Sequence, residues 1–168
     1  LASALIAAAL GLLMAAGPAA AVLPGTNGRI LFTSGRDSAD GDDNEAKLFL
    51  RTIIGSTGGG VAGPTLTPSG GQHKHATWSP DRTKIVYARG TPGTSLTENF
   101  DIYVQDLASG VATPITNTAD SLSAGRPSWS PDGTRIAYEQ QPVDNSAERD
   151  LKVYTVATGA LLDLTTGA

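Results

Sequence analysis

Five carboxylates stand within nine residues, Asp37-Ser38-Ala39-Asp40-Gly41-Asp42-Asp43-Asn44-Glu45, and hard oxygen donors around a glycine turn are what Ca²⁺ takes as ligands. Asp37, Asp40, Asp42, Asp43 and Glu45 are therefore the calcium candidates, and no other cofactor is expected. Their spacing departs from that of the EF-hand loop. The plainer account is a solvated hairpin loop between strands at Ile30 and Leu48.

His73 and His75 lie two apart just ahead of a strand. In extended chain both would project to one side, as a Zn²⁺ pair requires. No third ligand is evident nearby, and Arg126 takes the place of His75 one repeat later, so a polar position at the mouth of a ring is expected. Asp81, Asp132, Asp101 and Asp150 recur at matched positions. A catalytic group is usually needed once, so these carboxylates are expected to hydrogen-bond turns and strand edges. The G-x-S-x-G elbow, H-E-x-x-H, the P-loop and the dinucleotide fingerprint are absent. With no cysteine, thiolate metal sites, disulfides, lipoprotein attachment and cysteine catalysis are excluded as well. No catalytic residue is expected within residues 1–168.

Repetition reveals the elements that would position these groups. Ala76 to Tyr87 reads ATWSPDRTKIVY and Pro127 to Tyr138 reads PSWSPDGTRIAY; Trp78 to Trp129 and Ile85 to Ile136 are both 51 residues apart, while Asp101 to Asp150 and Gly110 to Gly159 are 49 apart. A fainter first copy contains Arg29-Ile30-Leu31-Phe32 and Leu66-Thr67, the latter matching Ile115-Thr116 and Leu164-Thr165. It has no Trp-Ser-Pro opening. A period of about fifty with four short β runs indicates a propeller blade.

Within the unit, Ser130-Pro131-Asp132-Gly133 has the residue that each site of a type I turn favours. Strands are expected at Pro127 to Ser130 and at Thr134 to Glu139, with Ile136 and Tyr138 on one face. Further strands are expected at Asp101 to Leu107 and Asp150 to Val156, each followed by a Gly turn and a short outer strand. A four-stranded sheet of this size cannot bury its faces alone and must stack on its neighbours. Trp78 and Trp129 are expected to pack between blades; a stacking platform for ligand is the alternative.

The fold expected is all-β, a partial β-propeller of about two and a half four-stranded antiparallel blades preceded by an apolar signal segment. Residues 1–21 are uncharged and end in small residues before about Ala21, as in a secretory signal peptide. A membrane anchor is the competing account, weakened by Gly17-Pro18 and the lack of flanking charge. The basic n-region is missing and residue 1 is Leu, so translation is expected to start upstream. Residues 22–28 form a linker, 29–75 an incomplete first blade, 76–126 a second and 127–168 a third. The remaining blades are expected beyond 168, since a ring closes with typically about four to eight. Assembly of one ring from several chains is the other possibility. A net charge of −4 argues against nucleic acid and anionic lipid as partners, and no stable membrane insertion is expected after signal cleavage.

Trp129-Ser130-Pro131-Asp132-Gly133, Trp78-Ser79-Pro80-Asp81 and Asp101-Ile102-Tyr103-Val104 resemble the WD40-like propeller repeat of the TolB type, the PD40 repeat. The resemblance covers about Leu23 to the end. Two departures stand out: Arg82 replaces the turn glycine, which predicts about 1 kcal/mol of strain or a change of turn type, and no α/β domain fits between Ala21 and Arg29, unlike TolB itself. The resemblance implies an exported, periplasmic or extracellular, non-enzymatic scaffold that binds a protein or a cell-envelope polymer. The alternative, from a different class, is the propeller portion of a larger hydrolase, either a serine peptidase gate or a metal-assisted hydrolase.

Overall fold

The computed structural model describes residues 28–34, 46–53, 60–67, 71–90, 99–118, 121–143 and 149–165. Among them are eleven strands and no helix, so no helix there is long and apolar enough to cross a membrane. The segment 1–21, linker residues 22–27 and the acidic loop carrying Asp37, Asp40, Asp42, Asp43 and Glu45 lie outside the described residues.

The strands form three antiparallel meanders. The first sheet contains β1 (Arg29–Ser34), β2 (Lys47–Ile53) and β3 (Gly60–Thr65). The second contains β4 (His73–Trp78), β5 (Lys84–Gly90), β6 (Phe100–Asp106) and β7 (Ala112–Pro114). The third contains β8 (Leu122–Trp129), β9 (Arg135–Pro142), β10 (Asp150–Thr155) and β11 (Leu161–Asp163). The described residues are all-β and fold as part of a propeller.

Burial shows how the sheets stack. In β5 the run Ile85, Val86, Tyr87 and Ala88 is buried throughout, because the middle sheet is covered on both faces. The equivalent strand β9 buries only Ile136 and Tyr138 and leaves Arg135 exposed and Ala137 half-buried. In β1 the matched Ile30 and Phe32 are 45% and 38% exposed. One buried cluster joins Leu48, Ile85 and Tyr87 between the first two sheets, and a second joins Val86, Ala88, Ile102, Ala124, Ile136 and Tyr138 between the second and third. Trp78 and Trp129 pack against the first and second cluster respectively, opposite Ile85 and Ile136 in identical register. Both are half-buried.

The serine-proline turns close as the sequence predicts. The Arg82 N–H donates to the Ser79 carbonyl and the Gly133 N–H to the Ser130 carbonyl, each at 2.9 Å. Gly133 has φ 71° and Arg82 has φ 59°. The turn type is therefore retained and Arg82 carries the left-handed strain itself. Gly110 and Gly159, at φ 73° and 71°, close the two Gly turns, where the N–H of each donates to the Asp106 and Thr155 carbonyls.

The pairing is longer than expected. Strand β8 begins at Leu122 and β9 runs to Pro142, instead of spanning Pro127 to Ser130 and Thr134 to Glu139. Pro127 cannot donate to a ladder, yet the ladder passes it, because the register shifts between Gly125 and Ser128 and leaves Arg126 and Pro127 together opposite Tyr138. A β-bulge accommodates the proline. Strand β4 bulges at the matched place, between Lys74 and Thr77. The second and third sheets accordingly begin at His73 and Leu122, a few residues ahead of 76 and 127.

Candidate functional site

The recurrent carboxylates take part in local structure. The Ser130 hydroxyl donates to Asp132 Oδ1 at 2.6 Å and accepts from the Arg135 N–H at 2.9 Å. Asp132 Oδ1 also accepts from the Thr134 N–H and hydroxyl at 3.0 and 2.9 Å. These bonds, that of Ser130 foremost, hold the Asp132 carboxyl down to about 2. Ser79, Asp81 and Thr83 repeat the arrangement, and Asp81 is shifted the same way by its Ser79 bond. Asp106 is held well below the usual carboxylate range, first by the Lys84 ammonium at 2.7 Å. Donors that favour the anion make these groups poor general bases.

Asp101 and Asp150 brace strand ends. Thr116 Oγ1 accepts from the Ile102 N–H and donates to Asp101 Oδ1, both at 2.8 Å. The third sheet matches it with Thr165 Oγ1, which accepts from the Leu151 N–H at 2.6 Å and lies 3.5 Å from Asp150 Oδ1. The first sheet keeps the threonine contact, from the Leu48 N–H to Thr67 Oγ1 at 3.1 Å. That contact identifies β2, β6 and β10 as the same strand of the unit.

The opposite end of the sheets, beside the two bulges, differs in kind. His75 and Arg126 occupy matched bulge positions with φ 55° and 49°, a conformation non-glycine residues adopt only when their surroundings impose it. It breaks the alternation on which the His73 and His75 pairing depended. His73 is fully buried, its Nδ1 3.1 Å from the Ala46 carbonyl just ahead of β2 and its ring 5.6 Å from that of Tyr87. His75 is exposed and lines a pocket toward the third sheet. The two imidazoles are not brought together, and no group of three or more metal-ligating side chains forms among the described residues.

The pocket, about 170 Å³, has an apolar wall from Ala88 and Phe100 and a charged wall from Arg126, Glu139 and Arg149. Lys74 caps the apolar side, its ammonium 4.6 Å from the centre of the Phe100 ring. On the other wall Glu139 Oε2 accepts from Nη1 of Arg126 at 2.6 Å and Nη1 of Arg149 at 3.0 Å. Two contacts tie the walls: Thr77 Oγ1 donates to the Pro127 carbonyl at 3.3 Å, and the Phe100 N–H to Ser123 Oγ at 3.2 Å. Desolvation raises the Glu139 carboxyl, but the two guanidinium groups outweigh it and leave it lowered. Partial desolvation, then the charges of Arg126 and Lys74, lower His75 below its ordinary value.

The repeat put Arg126 in the place of His75 one unit later but did not single out Lys74, Phe100, Glu139 and Arg149. A signal for two of them was present. Glu139 stands where the second sheet has Ala88, and Arg149 stands where it has Phe100. The bulge repeats, whereas the side chains around it do not.

No protein-family profile matches the sequence, and no curated protein matches it. Solved structures do. A protein assigned as TolB from Agrobacterium tumefaciens is 21% identical over 83% of this chain and 43% of its own, with a TM-score of 0.58. TolB from Acinetobacter baumannii is 17% identical over 84% of this chain and 30% of its own, with a TM-score of 0.56. An oligogalacturonate lyase from Vibrio parahaemolyticus is 14% identical over 82% of this chain and 36% of its own, with a TM-score of 0.56. The chain thus spans less than half the length of each, and the likeness is one of fold.

Proposed function

We propose that this chain belongs to an exported, TolB-like propeller protein that acts as a non-enzymatic binding scaffold for a protein or cell-envelope polymer, contacting its ligand at the bulge end of the sheets. One observation carries the reading: the recurrent carboxylates are consumed by turns and strand ends, whereas the ionic groups that break the repeat gather around one pocket. Exposed ion pairs of this kind stabilise a fold by about 0–1 kcal/mol, so Arg126, Glu139 and Arg149 are better explained by recognition. The apolar, charge-free segment 1–21 supports export through a cleaved signal.

A photoreactive residue placed at Gln141, beside the pocket, is compared in cells with one at Thr134, at the turn end. Adducts in the envelope or secreted fraction from Gln141 alone support the scaffold. Adducts from neither site, or turnover of a peptide or polyuronate substrate by the purified protein, would overturn it in favour of the enzyme alternative.

A further inference from the structure

The pocket beside the bulges is divided between sheets: Ala88 and Phe100 of the second sheet make one wall, and Arg126, Glu139 and Arg149 make the other. Two guanidinium groups share a single carboxylate oxygen, each through one Nη1. A guanidinium carries five N–H donors, so a second carboxylate can be received beside Glu139. Among the described residues, Arg126, Arg149 and Lys74 line the pocket together with Glu139. Glu139 braces the two forks, and the cross-sheet bonds of Thr77 and Phe100 fix the distance between walls.

We propose that this pocket captures the C-terminal carboxylate of a peptide whose last side chain is apolar, with the carboxylate on Arg126 and Arg149 and the side chain against Phe100. A cavity of about 170 Å³ is below the roughly 300 Å³ at which sites for whole small molecules begin; it takes an end group. The apolar wall favours an aliphatic or aromatic side chain over a polyhydroxylated sugar, which would leave its hydroxyls unpaired there. Arginine forks match a planar carboxylate. The proposal rests on the scaffold reading above, and names the chemistry of its ligand.

The test titrates the intact chain with N-acetyl-leucine, N-acetyl-leucinamide and galacturonate, read by calorimetry and by the His75 imidazole resonance. The acid should bind saturably, with the amide at least about tenfold weaker. Arg149→Gln, at an exposed position, should weaken the acid about tenfold. Arg135→Gln, which removes the same charge from the other end of β9, should not. Saturation with the acid should raise the His75 pKa, because an anion then joins Glu139 against the desolvation and the charges of Arg126 and Lys74 that lower it. Equal affinity for the amide, an equal loss in Arg135→Gln, or tighter binding of galacturonate would each overturn the proposal, the last in favour of an acidic sugar. Adducts at Gln141 in cells without carboxylate binding would leave the scaffold standing and remove only this ligand.

Discussion

Replacing Arg82 by glycine should stabilise the protein, and the size of the gain follows from comparing two turns. Arg82 at φ 59° and Gly133 at φ 71° occupy the same position of the Ser-Pro-Asp turn and close the same 2.9 Å hydrogen bond. An L-residue in that region costs about 1–2 kcal/mol. Glycine relieves this but adds roughly 0.4–1 kcal/mol of unfolded-chain entropy, leaving a net gain of about 0.5–1 kcal/mol. The exposed Arg82 side chain loses little packing. Gly133→Ala reverses the argument: its new Cβ meets Pro80 Cδ at 3.7 Å, an ordinary contact, so backbone strain alone sets a loss of similar size. In urea titrations with m near about 2 kcal/mol/M, the midpoints should move in opposite directions by roughly 0.3–0.5 M. A fall in midpoint for Arg82→Gly, or no change for Gly133→Ala, would refute the equivalence of the two turns.

Other outcomes can be stated more briefly. Thr116→Val should cost about 1–3 kcal/mol, because it strips the acceptor from the buried Ile102 N–H; Thr165→Val, at the exposed match, should cost less, and paired denaturant curves check the order. Trp129→Ala should cost roughly 2–3 kcal/mol in the same assay, below the roughly 3–5 of a fully buried aromatic, since the ring is half-buried. The Asp132 carboxyl is lowered from 3.8 to about 2 by folding, so its contribution to stability is complete above the unfolded value and disappears as pH falls through the folded one. Asp132→Asn should flatten the acid limb of the stability curve between those values, as measured by thermal melts across pH. Tyr87 and Tyr138, pushed up to about 12 chiefly by burial, should ionise late in an absorbance titration, with Tyr→Phe variants assigning them.

How much was legible follows the range of the interactions involved. Ser-Pro-Asp-Gly turns, the strand-edge hydrogen bonding of Asp101 and the Ile136 and Tyr138 face are settled by residues a few positions apart or by one strand pairing, and repetition doubled each signal. The propeller class came with them, because a small sheet with two apolar faces must stack. The strands expected at Pro127 to Ser130 and Thr134 to Glu139 proved longer, because the ladder passes Pro127 at a bulge and continues to Leu122 and Pro142. The expectation of His73 and His75 on one side failed for a related reason. Nothing in Lys74-His75-Ala76 announces a left-handed residue, and the surrounding sheets alone impose it.

The sequence by itself determined the unit: its period, its turns and the strand positions that must be buried, since those depend on local chain chemistry and on alternation. Only the tertiary structure decided the pocket. Lys74, Phe100, Arg126, Glu139 and Arg149 come from five strands or strand ends of two sheets, and they meet because two bulges turn the chain and because one sheet stacks on the next. Contacts between sheets leave no periodic mark on a single chain, so charge that looks scattered along the sequence becomes a site only once the sheets are packed.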